Sequence, residues 1–149
     1  ILPKGSGFLS VNIKNVDLQS GAQESIRLAA AVASKLSSVS ILDRDIDVSF
    51  VNQFADIVKV DGPSAGGAIT ATIYAALTEK SISDASLMTG TIETDGSIGT
   101  VGGVAKKAEA ARNQGANRFL VPKGQKVDVI GIEIVEVGTI NDVINQIVS

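Results

Sequence analysis

Apolar and polar positions alternate along FLSVNI at 8–13, and this period of two predicts a strand. The period then changes. Ile26, Ala29, Ala30, Ala33 and Leu36 fall on one stripe, which predicts a helix over 22–36 with Ser20 as its cap. IDVSFV at 46–51 alternates again, and the mostly polar stretch 52–63 contains a strand-like ADIVKV at 55–60. A helix is predicted over 64–79. ASLMTGTI at 85–92 reads as one buried strand, and the Asp95-Gly96 turn predicts a hairpin of 91–93 against 97–99. Gly102-Gly103 precedes a helix over 103–114, with Gly115 as its C-terminal cap. RFLVP at 118–122 and IEIVEV at 132–137 are strands, and INDVINQIV supplies an amphipathic helix over 139–147. Helices and strands interleave throughout, which predicts a single α/β domain across 1–149 with no repeat, linker or low-complexity tract.

Composition narrows the chemistry. A chain of 149 residues can bury a real core, and with 44% hydrophobic but only 3% aromatic residues that core is built from Ala, Val, Ile and Leu. A net charge of -3 with scattered basic residues argues against a nucleic-acid surface. The absence of Cys removes disulfides, zinc thiolates and cysteine nucleophiles. The absence of His removes the commonest general base and metal ligand. The longest uncharged apolar-leaning run, 65–77, is too short to span a bilayer and is interrupted by Thr70 and Thr72. The chain begins at Ile1 rather than Met, so an upstream leader, anchor or further domain stays open.

The stretch DGPSAGG (61–67) admits three readings. Ser64 is the N-cap of a helix after a proline turn; or the small residues expose N–H groups as an anion cradle, although no P-loop pattern follows; or Ser64 is a nucleophile whose neighbouring N–H groups hold an oxyanion. Without His, a nucleophilic serine needs a Lys, Asp or Glu base. A lysine serves only when burial among apolar atoms favours its neutral form. Lys106 and Lys107 are adjacent, but helical spacing separates them. Lys107 shares its face with Val104, Ala108 and Ala111, and so is expected to point inward. Lys106 falls with Glu109, Ala110 and Asn113, where Glu109 can pair with it. The plain alternative is that Lys107 snorkels at the core's edge. Gly102-Gly103 is expected to let another backbone approach. Thr89, at the end of an apolar run, either holds the amine or the serine or bonds locally. DRDID at 43–47 fails the calcium-loop pattern, with Val48 at the Gly position and Phe54 at the Glu position, and reads as a solvated turn entering a strand.

Four motifs in order, DGPSAG, MTGTI, GGVAKK and FLVPKG, resemble the proteolytic domain of Lon proteases over residues 51–125. The resemblance implies a mixed-sheet α+β fold related to the ribosomal protein S5 domain 2-like topology, in an archaeal-like or stand-alone member. It implies a serine endopeptidase with a Ser-Lys dyad. Ser64 matches the nucleophile and Lys107 the general base. Thr89 matches a threonine that helps hold the dyad, and Asp61 an acidic position beside the serine. The N–H groups of Gly62, Ser64 and Ala65 then form the oxyanion hole. The resemblance further implies unfolded or damaged protein substrates, a homo-hexamer and a cytoplasmic location, or a membrane-tethered form anchored by segments outside this chain. It implies no cofactor or metal in this domain, with ATP and Mg entering only through a separate ATPase module, in cis or in trans. Two positions depart from the pattern: Thr91 stands where Glu is frequent, and Val60 where bacterial members carry a basic residue. The rival readings are a non-catalytic Lon-like scaffold and a phosphate-binding small-molecule kinase-like domain.

Overall fold

A computed structural model describes residues 1–52 and 56–149, with only the backbone of Leu2 and Pro3. The predicted strand over 55–60 therefore lies partly outside the described residues. Within them the pattern resolves into ten strands and four helices. β1 (Leu2–Pro3), β2 (Leu9–Lys14), β3 (Val16–Leu18) and α1 (Ser20–Ser37) come first. They are followed by β4 (Arg44–Val51), β5 (Val58–Val60), α2 (Gly66–Leu77) and β6 (Ser86–Met88). The chain continues through β7 (Thr91–Ile92), β8 (Ile98–Gly99), α3 (Val104–Asn113), β9 (Arg118–Pro122), β10 (Glu133–Val137) and α4 (Ile140–Ile147). The strands form small sheets in the orders β1-β4-β2, β10-β9-β6, β3-β5 and β7-β8. The pairs β2–β4, β3–β5, β6–β9 and β9–β10 are parallel, and β1–β4 and β7–β8 antiparallel, so this is a mixed α/β architecture.

The core follows from the lack of aromatics. Small side chains let helices approach closely, and Ala29, Ala30 and Ala33 of α1 join Ala71 of α2 in one buried cluster. Ile92, Ile98, Leu120, Val137 and the apolar face of α4 complete it. On the other side of β9, Phe119 and Val121 bury with Val104, Ala108 and Ala111 of α3. Alternate residues of β9 thus enter two different clusters, as expected of a strand covered on both faces. The acidic run 43–47 holds neighbouring chain: Asp45 Oδ1 accepts the N–H groups of Ser6 and Phe8, and Asp47 accepts from Ser10 and Asn12.

Several boundaries differ from the sequence pattern, each for a physical reason. Ser20 is the first helical residue and Gln19 the cap, because the Gln19 carbonyl accepts the first helical bond, from Gln23 N–H at 3.2 Å; the Gln19 side chain makes no cap bond. The predicted strand 85–92 breaks at Thr89-Gly90 into β6 and β7, which belong to different sheets. The backbone groups that would continue the ladder bond instead to Ser64 and Gly67. Gly115 does end α3. With φ +86 it allows the paired bonds Gly115 N–H to Arg112 O and Ala116 N–H to Ala111 O of a Schellman motif. Gly103 has another use than the expected close approach: it holds a left-handed φ of +68 at the start of α3, and a Cβ on it or on Gly102 would meet nothing within 4 Å.

α4 begins with a capping box. Thr139 Oγ1 accepts the Asp142 N–H at 3.2 Å, and the Asp142 carboxylate accepts from Thr139 N–H at 2.8 Å and Gly138 N–H at 3.0 Å. These donated bonds hold the Asp142 carboxyl below its ordinary value of 3.8. A carboxyl depressed in the folded state adds stability above its unfolded value, and the gain is lost as pH falls through the folded value. Asp142→Asn is expected to cost about 0.3–1 kcal/mol near pH 7, since the carboxylate is exposed and screened by solvent. The difference from the parent should vanish in strong acid, as read by urea unfolding at several pH values.

Candidate active site

The site is built where β5 runs into α2. Gln19 N–H anchors the end of β5 through Val60 O, and the chain then turns through 61–65. Asp61 is exposed, and its Oδ1 accepts the Gly62 N–H at 2.7 Å. Gly66 N–H closes the turn on Pro63 O at 2.9 Å. The cap position of α2 belongs to Ala65, at φ -95 and ψ -1, with no side-chain cap. Ser64 therefore does not cap the helix, and its half-buried hydroxyl is left for other chemistry. Among the described residues the N–H groups of Ser64 and Ala65 carry no backbone bond, whereas that of Gly62 is taken by Asp61.

Thr89 joins the remaining parts. It is 3% exposed, and its N–H bonds to Leu120 O of β9 at 3.0 Å. Its hydroxyl donates to Ser64 O at 3.3 Å and accepts from Lys107 Nζ at 3.2 Å. Gly90 N–H donates to the same Ser64 carbonyl at 2.8 Å. One buried threonine thus links the lysine on α3 to the main chain of the serine turn. Lys107 leaves α3 on the stripe of Val104, Ala108 and Ala111, all buried, but is itself only half-buried. Lys106 is exposed and lines a separate groove with Gln125 and Lys126. Its expected pairing with Glu109 does not form: among the described residues the ion pair is Arg118–Glu133, and the solvent-facing lysine gains too little from Glu109 to order its side chain.

A groove of about 370 Å³ opens between β4 and α2, and Ala65, the residue after Ser64, lines it together with Ile46, Val48, Phe50, Ala68 and Ile69. The close approach of the serine turn to its neighbours depends on the absence of side chains. A Cβ on Gly66 would lie 2.8 Å from Ser25 Oγ and Ile92 Cγ2 and 2.9 Å from Ile92 N. Ser25, which the sequence reading did not single out, is 5% exposed and donates to Pro63 O at 3.5 Å. Its signal was a hydroxyl on the apolar stripe of α1, between Ala22 and Ala29.

Residues 9–148 match the family described as the Lon protease (S16) C-terminal proteolytic domain. The chain belongs to this family. It is 32% identical to an archaeal Lon protease of Methanocaldococcus jannaschii over 133 residues, which are 83% of this chain and 20% of that protein. It is 30% identical to Lon protease 2 of Bacillus subtilis over 145 residues, 95% of this chain and 25% of that protein. An archaeal Lon protease of Thermoplasma acidophilum is 32% identical over 148 residues, 95% of this chain and 22% of that protein. The chain thus spans a fifth to a quarter of the length of these relatives. All four motifs that carried the resemblance lie within the matched residues of this Lon proteolytic domain. Among the described residues no helix is long and apolar enough to cross a membrane.

The space around Gly66 makes a direct prediction. Gly66→Ala should destabilise the fold by about 1–3 kcal/mol, because the added methyl meets backbone as well as side chain. Urea unfolding of the variant against its parent measures it.

Proposed function

We propose that this Lon proteolytic domain is a serine endopeptidase in which Ser64 is the nucleophile and Lys107 the general base. The observation that carries the reading is the Thr89 bridge, which brings the Lys107 amine and the Ser64 main chain to one hydroxyl. The Lys107 amine takes the Ser64 Oγ proton as Oγ bonds to a peptide carbonyl carbon and the carbonyl electrons move to its oxygen. The N–H groups of Ser64 and Ala65 receive the oxyanion, and that of Gly62 joins them if Asp61 releases it. Collapse breaks the C–N bond, and Lys107 returns the proton to the leaving amine. Water then attacks the ester carbonyl and gives a proton to Lys107, which passes it back to Ser64 Oγ. Such a pair is a convergent variant of the serine triad.

The apolar groove beside Ala65 suits an extended peptide with a hydrophobic side chain, a feature that unfolded or damaged proteins expose. The chain spans a fifth to a quarter of its relatives' length, which supports a place for this domain within a larger Lon-type protease. An ATPase module in cis or in trans and a ring of six copies are part of the same proposal and rest on the motif resemblance alone. On this reading the domain needs no cofactor of its own, spans the whole chain and works in the cytoplasm.

Ser64→Ala and Lys107→Ala should each abolish cleavage of casein and of a fluorogenic peptide, while Lys106→Ala keeps most of it. Adjacent helical residues point about 100° apart, so only one of the two lysines reaches Thr89, and it is Lys107. The double Ser64/Lys107 variant should be no worse than either single one, since the pair acts as a unit. Full activity in Lys107→Ala with loss in Lys106→Ala would sink the assignment. A folded parent chain that cleaves nothing, with or without an ATPase partner, would favour a scaffold instead, and nucleotide binding by calorimetry a kinase-like role. Thr89→Val, nearly isosteric, should fold and lose about 10²–10⁴-fold in kcat, the scale of general-base catalysis, because the amine loses its anchor.

A further inference from the structure

We infer that the first two turns of α1 set the position of the nucleophile turn, with Ser25 as a positioning residue and Gly21 as the site of closest approach. The inference rests on the reading of Ser64 as nucleophile. Three contacts carry it, each from a different residue. Gln19 N–H bonds to Val60 O at 3.0 Å, just before the turn begins. A Cβ on Gly21 would lie 3.3 Å from Gly62 Cα, 3.4 Å from Gly62 N and 3.5 Å from Asp61 Oδ1, so the bare backbone of α1 is in contact with the turn. Ser25 Oγ then donates to Pro63 O at 3.5 Å.

Gly21 and Ser25 are four residues apart and lie on one helical face, which places them against Gly62 and Pro63 in succession. Ser25 is 5% exposed, and no other hydrogen bond satisfies its hydroxyl among the described residues. Pro63 O also receives Gly66 N–H at 2.9 Å, so the serine hydroxyl acts on the carbonyl that closes the turn around Ser64. On its other side Ser64 is held through its own carbonyl by Gly90 and Thr89. The turn is clamped from two directions: the 89–90 segment sets its distance to Lys107, and α1 sets its height above the core.

Two variants separate positioning from folding. Ser25→Ala removes the bond to Pro63 O and adds no atom. Gly21→Ala replaces a poor helix former with the best one, so the helix is favoured, yet its methyl meets backbone at 3.3 Å and pushes the turn by a few tenths of an ångström. Both are measured in the full chain by peptide kinetics, thermal unfolding and amide hydrogen exchange of residues 61–66 followed by mass spectrometry. In both, kcat should fall about tenfold with KM unchanged, since small misplacements of reacting groups cost rate steeply. Exchange in 61–66 should quicken while α4 stays as in the parent, and Gly21→Ala should melt no lower than the parent. Unchanged kcat and unchanged exchange in both variants would overturn the proposal. So would a loss of kcat that follows only a loss of melting temperature, which would leave α1 a purely structural part. If the parent cleaves no peptide with or without an ATPase partner, the nucleophile reading fails on its own, and exchange in 61–66 alone then decides whether α1 holds the turn.

Discussion

The carbonyl of Ser64 is the point on which the arrangement depends. It accepts from Gly90 N–H and from the Thr89 hydroxyl, and the latter is the atom that also receives the Lys107 amine. A single oxygen therefore fixes the serine turn to the strand segment that orients the lysine. A buried donor or acceptor left without its partner is costly, so these bonds resist being broken one at a time. Because Thr89 is itself tied through its N–H to Leu120, the site inherits the rigidity of β9, a strand buried on both faces.

That constraint explains departures from regular structure nearby. β6 and β7 would be one strand if their backbone groups were free to pair, but Gly90 gives its N–H to Ser64 and its carbonyl to Gly67. The glycines of 66 and 67 have the same origin. A Cβ at either would strike Ile92, Ser25 or Met88. The close fit between turn, strand and α1 is possible only with small residues, and the aromatic-poor core is consistent with that, since its helices approach through alanine.

Membership of the Lon family adds a chemical context to this geometry. A chain without histidine or cysteine has few ways to activate a serine. The structure brings a lysine to the serine turn through a threonine and keeps the neighbouring lysine in solvent. Asp61 introduces a second feature of interest, because its carboxylate occupies the Gly62 N–H that would otherwise be open beside Ser64.

Much of this was legible in the chain itself. Period and punctuation located all four helices and most strands, because an amphipathic face has to be written locally in the residues that form it. Helical phase alone separated Lys107 from Lys106, since a rotation of about 100° per residue is a property of any α-helix. The ordered motifs carried the family. Tertiary structure decided what depends on distant partners. It showed that Ser64 does not cap α2, that Thr89 bonds to both Lys107 and Ser64, and that the 85–92 segment splits. Among the described residues it also kept Lys106 and Glu109 from pairing with each other, and it brought Ser25 to Pro63 from 38 positions away. Hydrogen bonds and close contacts across such separations leave no period in the sequence, because they arise only when packing brings remote backbones together.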